Sequence, residues 1–238
     1  MEEEEDDDDI CKVVLLGEAG VGKTSIISRF YKGTFEESLM STNGASYVCR
    51  NLTFSEYENR MVKFEIWDTA GQEQYRALNK IFYKDASICI LVYDITSRKS
   101  FNALKEYWIE EIRNSAPKGI ILGLAANKSD LDDYEAVSED TARNFANEIN
   151  AIFMYTSACK FIGIDELFRN VGCKYIDPNY KGETITLKDI KNTIKNQKDD
   201  NINIDDDKDK NKDQKSKKVK LEGKSRKDSR EKKKKKFC

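Results

Sequence analysis

Short apolar segments alternate with amphipathic segments along residues 10–176. The runs KVVLLG, KFEIWD, SICILVYD and GIILGLAANK are apolar at most positions, which is typical of central parallel strands covered on both faces. The polar loop 55–60 lies between two such segments and predicts a β-hairpin at a sheet edge. The spacing predicts strands at 11–16, 46–54, 61–67, 87–93, 120–126 and 152–156, and helices at 23–31, 75–84, 100–114, 138–149 and 163–176. We therefore expect an α/β fold, a doubly wound six-stranded sheet that is mostly parallel, with one antiparallel edge strand and helices on both faces.

Charge divides the chain into three parts. Residues 2–9 are EEEEDDDD, whereas residues 215–238 carry 13 basic and 3 acidic side chains. After residue 196 there is too little apolar surface to offset the entropy of ordering. Leu187, Ile190 and Ile194 are spaced as in a short helix that would lead into this part. We predict an acidic disordered N-terminus at 1–9, a globular domain at 10–180 and a charged, largely disordered tail at 181–238.

Composition excludes several classes of function. The chain has no histidine, so it has no histidine-based catalytic relay and no imidazole ligand for zinc or haem. Its six cysteines form no CxxC pair, and the acidic N-terminus does not resemble a secretory signal. No run is long and apolar enough to predict a transmembrane span, and we expect a reducing intracellular environment.

The segment GEAGVGKT at 17–24 follows the first strand and opens the first helix. Its glycines let successive N–H groups point at an anion, and the helix N-terminus adds partial positive charge. Lys23 would reach the β- and γ-phosphates of a nucleotide, and the Thr24 hydroxyl would bind Mg²⁺. The candidate nucleotide-binding residues here are Gly17, Ala19, Gly20, Val21, Gly22, Lys23, Thr24 and Ser25.

The segment NKSD at 127–130 ends the fifth strand, and TSA at 156–158 ends the sixth. A carboxylate at Asp130 would accept two hydrogen bonds from the ring N–H and amino group of guanine, a pair that adenine lacks. A backbone N–H of the second segment would reach the guanine O6. Taken alone, NKSD also suits an ordinary helix-capping loop. The candidate base-binding residues are Asn127, Lys128, Asp130, Ser157 and Ala158.

The segment DTAGQ at 68–72 ends the third strand. Asp68 would hold Mg²⁺ through a water, and the Gly71 N–H would bond a γ-phosphate. Gln72 would orient the attacking water, because phosphoryl transfer needs positioning and charge stabilisation more than a strong base. The alternative is that Gln72 is an ordinary exposed loop residue.

The segments GEAGVGKT, WDTAGQE, NKSD and TSA, in this order and spacing, resemble a small GTPase of the Ras superfamily. KFEIW, YRAL, FYKDA and LVYDIT narrow the resemblance to the Rab family, and STNGASY is most similar to its early-endosomal branch. The resemblance covers about residues 10–176. It implies the P-loop GTPase fold, Mg²⁺ as cofactor, and GTP and GDP as substrate and product.

The resemblance assigns roles that spacing alone does not. Phe35 matches the aromatic residue that packs on the guanine ring, and Thr42 matches the switch threonine that binds Mg²⁺ and γ-phosphate. Tyr47, Trp67 and Phe82 match the three aromatic residues that present the switch surface to effectors. An alternative for these three is a core or hairpin cluster.

Three residues depart from the family pattern. Asn43 replaces an apolar residue after the switch threonine, which puts effector choice in doubt. Cys159 stands where the family usually has a lysine beside the base, and Ala19 stands where many relatives have glycine. These departures leave open a second function, a nucleotide-bound interaction scaffold with impaired hydrolysis or switching.

The implied function is a membrane-tethered switch in vesicle trafficking. Its partners would be an exchange factor, an activating protein that stimulates slow hydrolysis, and trafficking effectors, at the cytoplasmic face of an endosome or related vesicle. Lys232–Lys236 would attract an anionic membrane, and the terminal Cys238 is the candidate for lipidation, although the usual pair of cysteines is absent. The tail lacks the interleaved aromatic residues that stack on bases, which argues against nucleic acid as its partner.

Overall fold

The computed structural model describes residues 9–36, 42, 45–69, 82–183 and 185–195. Gly71, Gln72, Asn43, Cys238 and most of the helix predicted at 75–84 lie outside these residues. The strands are β1 Ile10–Leu16, β2 Ala45–Phe54, β3 Arg60–Thr69, β4 Ile88–Asp94, β5 Ile121–Asn127 and β6 Ile152–Tyr155. The helices are α1 Lys23–Lys32, α2 Arg98–Ala103, α3 Ile109–Ser115, α4 Glu139–Glu148 and α5 Ile164–Ile176.

The six strands form one sheet in the order β2-β3-β1-β4-β5-β6. All neighbouring pairs are parallel except β2 and β3, whose antiparallel register pairs Ala45 with Thr69 and Phe54 with Arg60. The predicted fold class is therefore confirmed, including the antiparallel edge strand. The hairpin turns through a 3₁₀ segment, Ser55–Tyr57, and two residues with left-handed backbone, Glu58 and Asn59.

Both faces of the sheet are covered, as the continuous apolar runs predict. Every residue of β4 is buried. On one face, Ile26 and Phe30 of α1 and Phe168 of α5 pack in a single core cluster, with the rings of Phe30 and Phe168 stacked 3.8 Å apart. On the other face, the ring of Phe101 on α2 contacts the ring of Tyr93 on β4 and the ring of Phe145 on α4.

The helix predicted at 100–114 is divided. A π-helical segment, Leu104–Trp108, connects α2 with α3, and both Leu104 and Trp108 are fully buried. The π segment widens the helix locally, a local change of hydrogen bonding that an apolar repeat does not reveal. None of the described helices is long and apolar enough to cross a membrane.

Residues 187–195 are helical, as the spacing of Leu187, Ile190 and Ile194 predicts. Thr186 and Asp189 form a reciprocal cap at its start, with the Thr186 N–H donating to Asp189 and the Asp189 N–H donating to Thr186. Ile190 is buried, and Lys191 forms an ion pair with Asp132 at 2.7 Å. The first compact unit of the chain extends to Lys191.

Candidate functional site

The loop between β1 and α1 has the backbone of an anion-binding turn. Gly17, Gly20 and Gly22 all have positive φ angles, of 148°, 77° and 96°. A Cβ on Gly17 would lie 2.2 Å from the Val92 carbonyl oxygen, so the loop can approach β4 only without a side chain there. Gly22 is also the N-cap of α1 and brings no side chain to the first N–H groups of the helix. These N–H groups can therefore serve an anion.

Lys23 lies inside this loop. Its Nζ donates hydrogen bonds to the carbonyl oxygens of Gly17 at 2.9 Å and of Glu18 at 3.0 Å, and the side chain is almost fully buried. Burial lowers the pKa of Lys23 to about 8, while Asp68 and Glu18 oppose that shift. The loop thus fixes a buried amino group at the position where phosphate charge would lie. Ser25 is half-buried in the following turn, and Ala19 is exposed.

Three oxygen ligands suitable for Mg²⁺ meet at the first turn of α1. The Thr24 Oγ1 lies 2.8 Å from the Thr42 Oγ1 and donates to the Asp68 Oδ2 at 2.7 Å. Burial raises the pKa of Asp68, opposed by the Thr24 hydrogen bond and by Lys23. These residues come from positions 18 and 44 apart in the sequence, so only the fold brings them together.

The oxygen atoms of this cluster are of the kind that Mg²⁺ prefers. The second carboxylate oxygen of Asp68, Oδ1, is buried and has no hydrogen-bond partner among the described residues. Within the described ranges there is no group of three or more His, Cys, Asp or Glu side chains that could hold a metal. Two hydroxyls, one carboxylate and phosphate oxygens or waters are a donor set that a hard cation prefers. The residues present fit Mg²⁺.

Asn127 connects the phosphate loop with the two predicted base-binding segments. Its Nδ2 donates to the Val21 carbonyl oxygen at 2.7 Å, and its Oδ1 accepts from the Thr156 hydroxyl at 3.1 Å. A Cβ on Gly22 would lie 2.4 Å from the same Nδ2. A side chain at Gly22 would therefore push apart two segments whose joining residues, Val21 and Asn127, are 106 residues apart in the chain.

The two base-binding segments are themselves joined. The Ser157 hydroxyl donates to the Asp130 Oδ1 at 2.5 Å, and the Ser129 hydroxyl donates to the Thr156 carbonyl oxygen at 2.9 Å. Lys128 has a left-handed backbone and an ion pair with Asp94 at 2.7 Å. Ala158, the last of the predicted base-binding residues, is buried in the following turn. The carboxylate of Asp130 is thus held beside the loop that contains Ala158.

The three aromatic residues assigned to an effector surface form one row. The ring centroids of Tyr47 and Trp67 are 5.2 Å apart, and those of Trp67 and Phe82 are 5.6 Å apart. Tyr47 is 47% exposed and the other two are partly exposed, so the row is not part of the core. The Lys12 Nζ lies 5.1 Å from the Trp67 ring centroid, a cation–π distance. This row gives the molecule an accessible aromatic surface on β2 and β3.

Sequence patterns did not identify two residues that support the site. Asp94, at the end of β4, pairs with Lys128 and accepts from the Thr96 N–H and hydroxyl. Arg29, on α1, donates to the base-binding loop that contains Ala158. Asp94 follows a predicted strand, which is a signal that could have found it, whereas Arg29 has no motif around it.

Comparisons with known proteins agree with this geometry. The Ras family model matches residues 12–177, which include the phosphate and base loops. Ras-related protein Rab-22A of Mus musculus is 45% identical over 157 residues, 66% of this chain and 79% of that protein. Ras-related protein Rab-31 of Homo sapiens is 38% identical over 186 residues, 77% of this chain and 93% of that protein. Ras-related protein RabJ of Dictyostelium discoideum is 41% identical over 165 residues, 69% of this chain and 63% of that protein.

Proposed function

Because the chain belongs to the Ras family of small GTPases, within its Rab branch, we propose that it is a membrane-tethered switch that cycles between GDP and GTP and recruits effectors of vesicle trafficking. GTP hydrolysis is the reaction of this family. The observation that carries the proposal is the Asn127 side chain, which joins the phosphate loop to the base-binding segments. One molecule that has both a phosphate chain and a guanine base fits these joined loops.

The phosphates would be held by the glycine loop and Lys23. Inward N–H groups at the start of α1 would bind the phosphate oxygens, and the buried amino group would add a full positive charge. Where water is excluded, a buried positive charge stabilises a phosphate much more strongly than the same charge does at the protein surface. Thr24, Thr42 and Asp68 would hold Mg²⁺, Asp68 through a water, and these residues would thereby place a positive charge beside the phosphate oxygens.

Guanine selection would rest on Asp130, with Lys128, Ser157 and Ala158 around the base. The Ser157 hydroxyl fixes the Asp130 carboxylate, and the ion pair with Asp94 fixes the Lys128 side chain. Phe35 lies at the start of the stretch 35–42 that ends at the switch threonine, here called the first switch segment. It is partly buried beside the core and would pack on the ring. A carboxylate held in place accepts the two adjacent donors of guanine without reorganisation.

Hydrolysis would be slow and would need an activating protein. Gln72 would orient the water, and Gly71 would bond the γ-phosphate. A partner that supplies an arginine would stabilise the charge of the transition state. Thr42 would bind only in the GTP state, so the aromatic row of Tyr47, Trp67 and Phe82 would change its surroundings when GTP is hydrolysed.

The hydrolysis proposal is tested with the purified full chain loaded with GTP in the presence of Mg²⁺. We expect measurable, slow single-turnover hydrolysis that falls by at least about tenfold in Gln72→Leu, because leucine cannot orient the attacking water. Gln74→Leu, two residues away, is the matched control and should hydrolyse at the wild-type rate. Equal, measurable rates for wild type and Gln72→Leu would exclude Gln72 as the water-positioning residue. No measurable hydrolysis by the wild type would favour the scaffold function instead, and fast unassisted hydrolysis would exclude a need for an activator.

Membrane attachment would combine one lipid on Cys238 with the lysines at 232–236. One chain alone binds a bilayer marginally, while each lysine near an anionic surface adds about 1 kcal/mol. The natively expressed chain should carry a prenyl mass at its C-terminus and bind vesicles with phosphatidylserine better than neutral vesicles. Cys238→Ser should lose stable binding to the phosphatidylserine vesicles. An unmodified Cys238 in membrane fractions would exclude prenylation.

A further inference from the structure

Arg29 donates hydrogen bonds to three backbone carbonyl groups. Its Nε donates to Ala158 at 2.8 Å, its Nη2 to Cys159 at 3.0 Å and its Nη1 to Gly33 at 2.6 Å. The first two carbonyls belong to the loop after β6, and the third follows α1. The planar fork of a guanidinium can serve several acceptors at once, which the single amino group of a lysine cannot do with the same geometry.

The same guanidinium lies beside two aromatic rings. Its central carbon is 5.8 Å from the ring centroid of Phe35 and 5.6 Å from that of Phe161. Phe161 is 44% exposed and has a left-handed backbone, with φ of 54°. Arg29 therefore contacts both the start of the first switch segment and the loop that faces the base.

Helix α1 thus touches both ends of the nucleotide site. Its first residues, Lys23 and Thr24, lie at the phosphate end, and Arg29 lies about one and a half turns later. The family usually has a lysine beside the base where this chain has Cys159, whose carbonyl oxygen is one of the Arg29 acceptors. Ser157 holds the other side of the loop through Asp130, with its hydroxyl also accepting from the Lys160 N–H.

We propose that Arg29 is a positioning residue that fixes the base-binding loop at Ala158 and Cys159, together with Phe35, to the phosphate-binding helix and so slows nucleotide release. The inference rests on the proposed function. Arg29 sets the distance between the base loop and the phosphate loop, because both are held by the same helix. Release of the nucleotide would require the base loop and Phe35 to move apart. The two hydrogen bonds of Arg29 to the base loop and its cation–π contact with Phe35 oppose that movement.

The test compares Arg29→Lys with Arg169→Lys in the full chain. Arg169 is a matched control, since it also donates to a backbone carbonyl, that of Thr53, and also lies over a phenylalanine ring, that of Phe54, at 5.6 Å. It has a further ion pair with Glu56. These partners of Arg169 lie on β2 and in the hairpin turn, away from the loop after β6 in the chain. Three quantities are measured: release of a fluorescent GDP analogue into excess GDP, single-turnover hydrolysis of preloaded GTP, and the melting temperature at saturating GDP.

Arg29→Lys should release GDP about tenfold faster, the effect of losing one charge-assisted hydrogen bond. Hydrolysis of bound GTP should stay within about twofold of wild type, because the phosphate end is unchanged. Arg169→Lys should release GDP at the wild-type rate. Arg29→Gln retains one shorter hydrogen-bond donor and should release GDP at least as fast as Arg29→Lys. It replaces Arg29→Lys in the test if the lysine variant does not fold.

Wild-type release rates in both Arg29 variants would overturn the inference while leaving the proposed function intact. Equal acceleration in Arg169→Lys would also overturn it, because the effect would then reflect general loss of stability. If the wild-type chain holds no guanine nucleotide, the proposed function itself fails, and the inference fails with it.

Discussion

Asn127→Ala is the most direct test of how the two halves of the site are joined. The Asn127 side chain is 1% exposed, donates to the Val21 carbonyl and accepts from the Thr156 hydroxyl. Alanine would leave both groups buried without these partners, since Val21 is 2% exposed and Thr156 is fully buried. Each unsatisfied buried group costs about 1–3 kcal/mol, so we expect the free energy of unfolding to fall by about 3 kcal/mol.

The same substitution should accelerate nucleotide release. The Val21 carbonyl belongs to the phosphate loop and Thr156 to the base side, so losing Asn127 uncouples the two ends of the ligand. If half of the lost free energy is expressed in the release step, GDP should leave about tenfold faster, since about 1.4 kcal/mol corresponds to a factor of ten. The assay is displacement of fluorescent GDP by excess GDP, together with urea unfolding at saturating GDP.

Asn170→Ala is the matched control for this prediction. Asn170 is 3% exposed, donates to the Glu166 carbonyl at 2.7 Å and accepts from the Tyr180 hydroxyl at 3.0 Å and the Glu183 N–H at 2.5 Å. The Asn170→Ala variant should have its free energy of unfolding lowered by a similar amount, but it should release GDP at the wild-type rate. If both variants release GDP at the same rate, the coupling role of Asn127 is refuted, and its hydrogen bonds serve stability alone.

Three further outcomes follow from the structure. Gly163→Ala should lower the free energy of unfolding by about 3 kcal/mol in urea titrations, because a Cβ there lies 2.0 Å from the Tyr155 carbonyl oxygen. Gly119→Ala, also at positive φ but with nothing within 4 Å, should cost only about 1 kcal/mol, and equal losses would contradict the clash. Asp130→Asn should weaken the affinity for GDP about a hundredfold and favour xanthosine diphosphate, because the base carbonyl of that nucleotide accepts a hydrogen bond from the new amide. An unchanged preference in competition binding would show that Asp130 does not select guanine. Asp68→Asn should reduce the acceleration of GDP release by EDTA, and an undiminished response would remove Asp68 from the Mg²⁺ site.

Elements and motifs that depend on nearby residues could be predicted well. The edge hairpin follows from the polar loop 55–60 between two apolar segments, and the observed strands differ from the predicted ones by only one or two residues at their ends. The left-handed angles of Gly17, Gly20 and Gly22 follow from the spacing of glycines before Lys23. The helix at 187–195 follows from three apolar residues at helical spacing. Each of these features depends on residues that are close together in the sequence.

Supporting contacts between distant segments could not be predicted in this way. Arg29 has no motif around it, yet its side chain reaches carbonyl groups about 130 residues later. The π-helical segment before Trp108 is also absent from the apolar pattern, because a local change of hydrogen bonding leaves the burial of Leu104 and Trp108 unchanged. Such contacts depend on how α1 and the loop after β6 lie across the sheet.

The sequence by itself determined the order of strands and helices, the phosphate and guanine motifs and the division of charge, because each is a pattern of residue types along the chain. The motifs and the family resemblance also named Thr24, Thr42 and Asp68 as ligands of one Mg²⁺. Only the tertiary structure decided which further side chains, such as those of Arg29 and Asp94, hold the loops together. Hydrogen bonds act over about 3 Å, and that proximity is created by the parallel sheet, which brings the carboxyl ends of distant strands to one edge. The sequence therefore predicted which kinds of residue bind phosphate and guanine, whereas the contacts that hold these residues in one site depend on the fold.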